Sequence, residues 1–163
     1  MKHTISVLVE NEFGVLSRIS GLFSGRGFNI ESLSVAPTMD TDLSRMTLVT
    51  RGNDQVLEQI TKQLNKLIST IKVVDFTGGD YIERELALIK VSTDAESRAE
   101  ALRIVDIFRA KVIDVTPKSY TIEITGAPAK INGILELLRP MGIKEVVRSG
   151  PVVIGRGAKG VVA

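Results

Sequence analysis

The sequence contains no cysteine and no tryptophan, a single histidine, and aromatic residues at only 4% of its 163 positions. Without cysteine there is no disulfide framework and no thiolate nucleophile, and a reducing compartment is the expected setting. His3 alone cannot assemble a metal site. Charge of one sign is also missing: 21 Lys and Arg face 19 Asp and Glu for a net charge of +2, with both signs spread along the chain. That balance, and the shortage of aromatics to stack bases on, exclude an obvious nucleic-acid partner. An RNA-recognition sheet would carry aromatics on its central strands, whereas these read Val, Leu, Ile and Thr. No apolar run approaches the roughly 18 residues of a membrane span, and no basic segment followed by an apolar stretch opens the chain. The expectation is a soluble, cytoplasmic protein without a membrane partner.

What is present is ordinary globular material, 44% hydrophobic and 25% charged, in a chain long enough for two small domains. The stretch "VENEFGVLSRISGLFSGRGFNIESLSV", Val9 to Val35, reads as strand, loop, helix, loop, strand. Val15, Leu16, Ile19, Leu22 and Phe23 recur at helical spacing and form one apolar face. Each flanking loop pairs an Asn with a Gly: Asn11 with Gly14 before the helix, Gly27 with Asn29 after it. Gly14 opens the helix without a side chain, leaving backbone N–H groups that favour an anion or a carboxylate.

The pattern then repeats. After the strand "TISVLVE" and this helix come strands over 28–37 and 44–52 joined by a polar turn, a helix over about 53–70 with Val56, Ile60, Leu64, Leu67 and Ile71 as its stripe, and a strand over 71–76. Asn53 or Asp54 is its expected N-cap. "TGGDYIERE" reads as a linker, and the same order begins again: strand 86–92, helix 95–110, two strands meeting at Pro117–Lys118, helix 129–140, strand 143–150. The fold class predicted is α+β, two ferredoxin-like βαββαβ domains, each a four-stranded antiparallel sheet with two helices on one face. The domains are expected over 1–77 and 84–163, with a linker at 78–83 and a flexible tail. Both faces of the second strand carry apolar residues, so the sheet's second face is expected to be covered by another copy.

Enzymatic chemistry is hard to find. "GRGAKG", Gly155 to Gly160, matches G-x-G-x-x-G in form, but no helix-length segment follows it and no acid stands about 20 residues on, as a dinucleotide site requires. It reads instead as a flexible tail, or one that orders on a partner. The acid pairs Asp40/Asp42 and Glu83/Glu85 fall in turn and linker, where carboxylates are ordinarily solvated. No Ser, Lys or Thr has an evident activating base. The two Asn-Gly loops remain. Asn11 and Asn29 can be simple turn formers, since Asn bonds nearby backbone and tolerates left-handed geometry. They can also orient an amino acid's two polar groups, with Val35 or Leu16 as an aliphatic wall. In this topology the two loops reach one small site only if two protomers supply them.

These residues resemble a known family. "SVLVENEFGVLSRISGLFSGRGFNIESLSVAPTMD" with "LSRMTLVTRG" is similar to the ACT-domain signature of the small regulatory subunits of acetolactate synthase (acetohydroxy acid synthase), and "IERELALIKV", "IFRAKVIDVTPKSYTIEITG" and "VVRSG" resemble their C-terminal domain in matching order. The resemblance implies an ACT domain that pairs side by side in a homodimer, with valine bound at the interface as feedback inhibitor of branched-chain amino acid biosynthesis. It implies a non-catalytic chain that activates a large catalytic subunit, the thiamine diphosphate, Mg²⁺ and FAD belonging to that partner. By position, Asn11, Gly14, Val15 and Leu16 match the effector loop, Asn29 and Ile30 the facing strand of the other protomer, and Ser17 and Ala36 neighbours to which feedback is sensitive. The competing reading is a free-standing ACT-type amino-acid sensor with no enzyme partner.

Overall fold

Seven consecutive residues of the first strand, His3 to Val9, are buried, so this strand is covered on both faces. In the computed structural model, which describes residues 1–158, 160 and 161, strand β1 (Lys2–Glu10) lies inside a sheet of order β2-β3-β1-β4. Its neighbours are β2 (Ile30–Pro37), β3 (Leu43–Arg51) and β4 (Thr70–Asp75), all antiparallel to the strand beside them. Strand alternation sends Ile5, Val7 and Val9 to one face, where Met46 and Leu48 of β3 join them. Helices α1 (Val15–Gly25) and α2 (Asp54–Lys66) close that face with Val15, Ile19, Phe23, Ile60 and Leu64.

The other face differs from expectation. The sequence predicts that a second copy covers it, yet Ser6, Leu8 and Val49 are 0%, 2% and 1% exposed within this single chain. Part of the reason is the segment after Pro151. Strand β9 (Val152–Gly155) groups by its contacts with Met1–Ile82, and the Arg45 guanidinium donates to the Val153 carbonyl at 2.7 Å and to Ser6 Oγ at 2.9 Å. Arg156 pairs with Asp80 at 2.8 Å. The chain thus divides into Met1–Ile82 with the segment from Val152 onward, and Glu83–Pro151. By its contacts the segment that the sequence assigns to the C-terminal domain as a flexible tail groups with the first unit, while β9 also pairs with the strand over 81–92. Lys159, Val162 and Ala163 lie outside the described residues.

Two boundaries also shift for physical reasons. Helix α2 ends at Lys66 instead of about 70, because β4 must already begin at Thr70 to pair with Val9. Leu67 turns to an extended conformation, Ile68 is exposed, and Ile71 joins the strand. The expected linker at 78–83 is a glycine turn running directly into a long strand β5 (Tyr81–Ser92). Gly78 takes a positive φ, and the Tyr81 ring lies 5.7 Å from that of Phe76.

The second unit has the order β6-β7-β5-β8, from β6 (Lys111–Thr116), β7 (Ser119–Gly126) and β8 (Ile143–Arg148) around β5. Ala87, Ile89 and Val91 of β5 and Tyr120, Ile122 and Ile124 of β7 pack under α3 (Arg98–Ile107) and α4 (Pro128–Leu138). Helix α3 starts three residues later than its periodicity suggests, because Asp94 Oδ1 first accepts the N–H groups of Glu96 and Ser97 in a turn. Those bonds hold the Asp94 carboxyl below its ordinary value. Pro128 sits at the start of α4, where its missing N–H has no intrahelical role.

Asn53 accepts the Val56 N–H at 2.9 Å and caps α2 as expected. Replacing Asn53 with Ala should lower unfolding stability by about 1 kcal/mol in denaturant titrations, while Asn53→Asp should retain most of it.

Candidate functional site

The loop between β1 and α1 is built by backbone geometry more than by side chains. Gly14 caps α1 at φ 86° and ψ −3°, a left-handed conformation that L side chains avoid, and makes no side-chain cap. Within the first turn the Arg18 N–H closes on the Gly14 carbonyl at 3.0 Å, and the Val15 N–H makes a long 3.4 Å bond to the Glu12 carbonyl. The N–H groups of Leu16 and Ser17 have no backbone acceptor and are the ones open to an anion. Val15 is 4% exposed and faces the core, whereas Leu16 is 43% exposed. Val15 therefore serves the loop through its backbone, and Leu16 offers the apolar surface.

Asn11 is held on both of its hydrogen-bonding arms. Its backbone N–H donates to the Asp42 carbonyl at 2.7 Å and its side-chain Nδ2 to the Thr41 carbonyl at 3.0 Å, tying the loop to the β2–β3 turn. The side-chain oxygen is left as an acceptor at an exposed position. The turn-forming role is therefore real, and it fixes which end of the amide faces outward.

Asn29 and Ile30 lie elsewhere in the protomer. The Asn29 carbonyl accepts from Thr50 Oγ1 at 2.6 Å, and Ile30 starts β2 opposite Thr50 while packing on the first core. They follow the C-terminal end of α1, so the 11 residues of that helix, roughly 16 Å of rise, separate them from Gly14. Within one protomer the structure brings Asn11, Gly14, Val15, Leu16 and Ser17 together and keeps Asn29 and Ile30 apart from them. Ala36 lies near the far end of β2, opposite Arg45, and Val35 beside it is partly exposed.

Sequence reasoning missed the acids beside this loop. Glu10 and Glu12 interact, and the hydrogen bond and like charge between them raise the Glu10 carboxyl above its ordinary value. Arg18 Nη1 donates to Ser69 Oγ at 2.9 Å, and Ser69 Oγ in turn donates to Glu12 at 3.4 Å. The signal was available, since Glu10 and Glu12 flank Asn11, but their partner Ser69 is 57 residues away from Glu12 in sequence. Among the described residues there is no cluster of three or more His, Cys, Asp or Glu that could hold a metal. His3 is buried with Nε2 2.9 Å from the Gly52 carbonyl.

Residues 5–72 match the family described as AHAS small subunit-like ACT domain, and residues 84–157 match the family described as small subunit of acetolactate synthase. The chain belongs to the acetolactate synthase small-subunit family. It is 54% identical to the acetolactate synthase small subunit of Mycolicibacterium smegmatis over 98% of this chain and 94% of that one. The corresponding subunit of Aquifex aeolicus is also 54% identical, over 95% of this chain and 81% of its own length. The crystal structure of the acetolactate synthase small subunit from Thermotoga maritima superposes with a TM-score of 0.88 at 39% identity, over 98% and 99% of the two chains. The α+β fold of two βαββαβ units, the first an ACT domain, is thereby established, and membership of this family makes the chain the small, regulatory partner in acetolactate synthase.

The left-handed Gly14 separates backbone demand from packing. A Cβ at Gly14 would meet no atom within 4 Å, and the same is true at Gly21 inside α1, where φ is not positive. Gly14→Ala should therefore destabilise the protein by about 1 kcal/mol, and Gly21→Ala should stabilise it by about 0.5–1 kcal/mol. Chemical denaturation of the two variants checks both signs.

Proposed function

We propose that this chain activates the catalytic subunit of acetolactate synthase and confers feedback inhibition by valine, which it binds at the interface of a homodimer. The observation that carries the reading is the placement of the loop Asn11–Ser17 and the strand start Asn29–Ile30 at opposite ends of α1. A two-fold axis that brings the β2 edges of two copies together would set the loop of one protomer against the strand of the other. Strand β2 is an edge of its sheet, so its outer hydrogen-bonding groups are available for such pairing. The ligand carboxylate would meet the N–H groups of Leu16 and Ser17, the ammonium would meet Asn11 Oδ1 and Asn29, and the aliphatic side chain would lie on Leu16 and Ile30.

In this reading the chain does no chemistry of its own. Thiamine diphosphate, Mg²⁺ and FAD are carried by the catalytic subunit, where pyruvate is converted to acetolactate in the cytoplasm. Among the described residues no helix is long and apolar enough to cross a membrane.

The two-chain site is tested by complementation. Asn11→Ala and Asn29→Ala homodimers should each bind valine poorly, since losing an oriented polar contact to a charged group weakens binding roughly ten- to a hundredfold. A differently tagged heterodimer of the two variants contains one doubly damaged site and one intact site. Calorimetric titration should then find one site of wild-type affinity per dimer. No such site in the heterodimer would overturn the shared interface and leave both asparagines as turn formers.

A further inference from the structure

The first unit carries a cluster of cations that the effector reading does not use, on the sheet face opposite α1 and α2. Leu8 at the centre of that face pairs in register with Arg45 on one side and Lys72 on the other. Side chains directly opposite one another on neighbouring strands share a face, so both cations project where Leu8 does, with their Cα atoms roughly 10 Å apart across β1. Arg156 joins them from the segment after β9.

Arg45 is half-buried and the groups it hydrogen-bonds are neutral. Its guanidinium donates to Ser6 Oγ and to the Val153 carbonyl, and burial lowers its pKa from the usual value. Among the described residues neither Arg45 nor Lys72 forms an ion pair; Arg156 alone is matched, by Asp80. A cation drawn partly out of water without a carboxylate partner is an unfavourable arrangement unless something anionic visits it. Two cavities meet at this guanidinium. One, of about 330 Å³, is walled by Val35, Ala36, Pro37, Val152 and Ile154 beside Thr47. The other, of about 300 Å³, is walled by Val74, Phe76 and Ile154 and carries Lys72, Asp80 and Arg156.

We infer that this face is a binding site for a small aliphatic carboxylate, with the anion between Arg45 and Lys72 and the hydrocarbon in one of the flanking cavities. Among the described residues the charge count favours an anion: Arg45, Lys72 and Arg156 against the one carboxylate of Asp80. The walls favour an organic one, because a compact, strongly hydrated ion such as phosphate gains nothing from Val35, Pro37, Val74 or Ile154. The anion position lies within one protomer and uses none of Asn11, Gly14, Leu16, Asn29 or Ile30, while Val35 and Ala36 of one cavity wall belong to the β2 edge proposed to pair.

The test uses the full-length chain and 3-methylbutanoate, which lacks the ammonium of valine. In ¹H–¹⁵N spectra it should shift the amides of Ser6, Thr47, Lys72 and Ile154, with 3-methylbutan-1-ol and inorganic phosphate each binding at least tenfold more weakly. Lys72→Gln, at an exposed position, should weaken 3-methylbutanoate severalfold, and Arg45→Gln about tenfold or more, the usual scale for losing a charge-assisted hydrogen bond. Because Arg45 also holds Val153, Arg45→Lys serves as a second variant and should recover part of the affinity. Valine affinity should be unchanged by Lys72→Gln, and 3-methylbutanoate affinity unchanged by Asn29→Ala, so failure of either site is read separately. Absence of carboxylate binding at millimolar concentration, equal binding of the alcohol, tighter binding of phosphate, or binding indifferent to both Lys72→Gln and Arg45→Gln would each overturn the site.

Discussion

The central strand β1 is covered on both faces, and most of the architecture of the first unit follows from that constraint. On one face the apolar residues Ile5, Val7 and Val9 are met by two helices. On the other, Ser6 and Thr4 are too polar for an oily cover, and Ser6 is satisfied by the Arg45 guanidinium. That guanidinium reaches on to the Val153 carbonyl and is one of the ties between β9 and the first unit. The alternation along one strand thus separates the face the helices cover from the face on which a half-buried cation bonds Ser6 and Val153.

Burial of β1 also sets what is left open. With β1 and β3 inside the sheet, the unpaired backbone falls to the edges β2 and β4. Strand β2 runs from Ile30, next to Asn29, to the turn that Asn11 grips, so this edge begins beside one set of candidate effector residues and ends beside the other. An antiparallel pairing of two such edges would place start against end, which is the geometry a shared site requires.

Much of this was legible in the sequence because it is local. Helical periodicity marked α1, two-residue alternation marked β1 and β3, and Asn53 announced the start of α2. The left-handed Gly14 was legible as a glycine at a helix entrance. What was not legible depends on contacts far apart in sequence. Leu67 and Ile71 continue the helical stripe of α2 perfectly well, and only the need for Thr70 to pair with Val9 stops the helix at Lys66. Arg45 reads as one more charged residue in a strand until Val153, 108 positions later, is found accepting from it. A linear pattern cannot show that the same chain returns to the second face, so from sequence that face calls for a second copy.

The loop proposed to meet the effector is tied down by hydrogen bonds within its own protomer. Glu10 N–H donates to the Ser69 carbonyl at 2.8 Å, Asn11 is fixed to Thr41 and Asp42, and Arg18 reaches Glu12 through Ser69. These ties come from three directions: the β2–β3 turn, the α2–β4 connection and the first turn of α1. The Glu10 and Glu12 side chains also interact at this surface, and the hydrogen bond and like charge between them raise the Glu10 carboxyl above its ordinary value. For a ligand as small as the proposed valine, whose charged groups must first give up water, little surplus binding energy is available to order a floppy loop. A segment already pinned at Glu10, Asn11 and Gly14 holds the Leu16 and Ser17 N–H groups in place, and in the proposed site selectivity for an amino acid would rest on the distance between those donors and the facing asparagine.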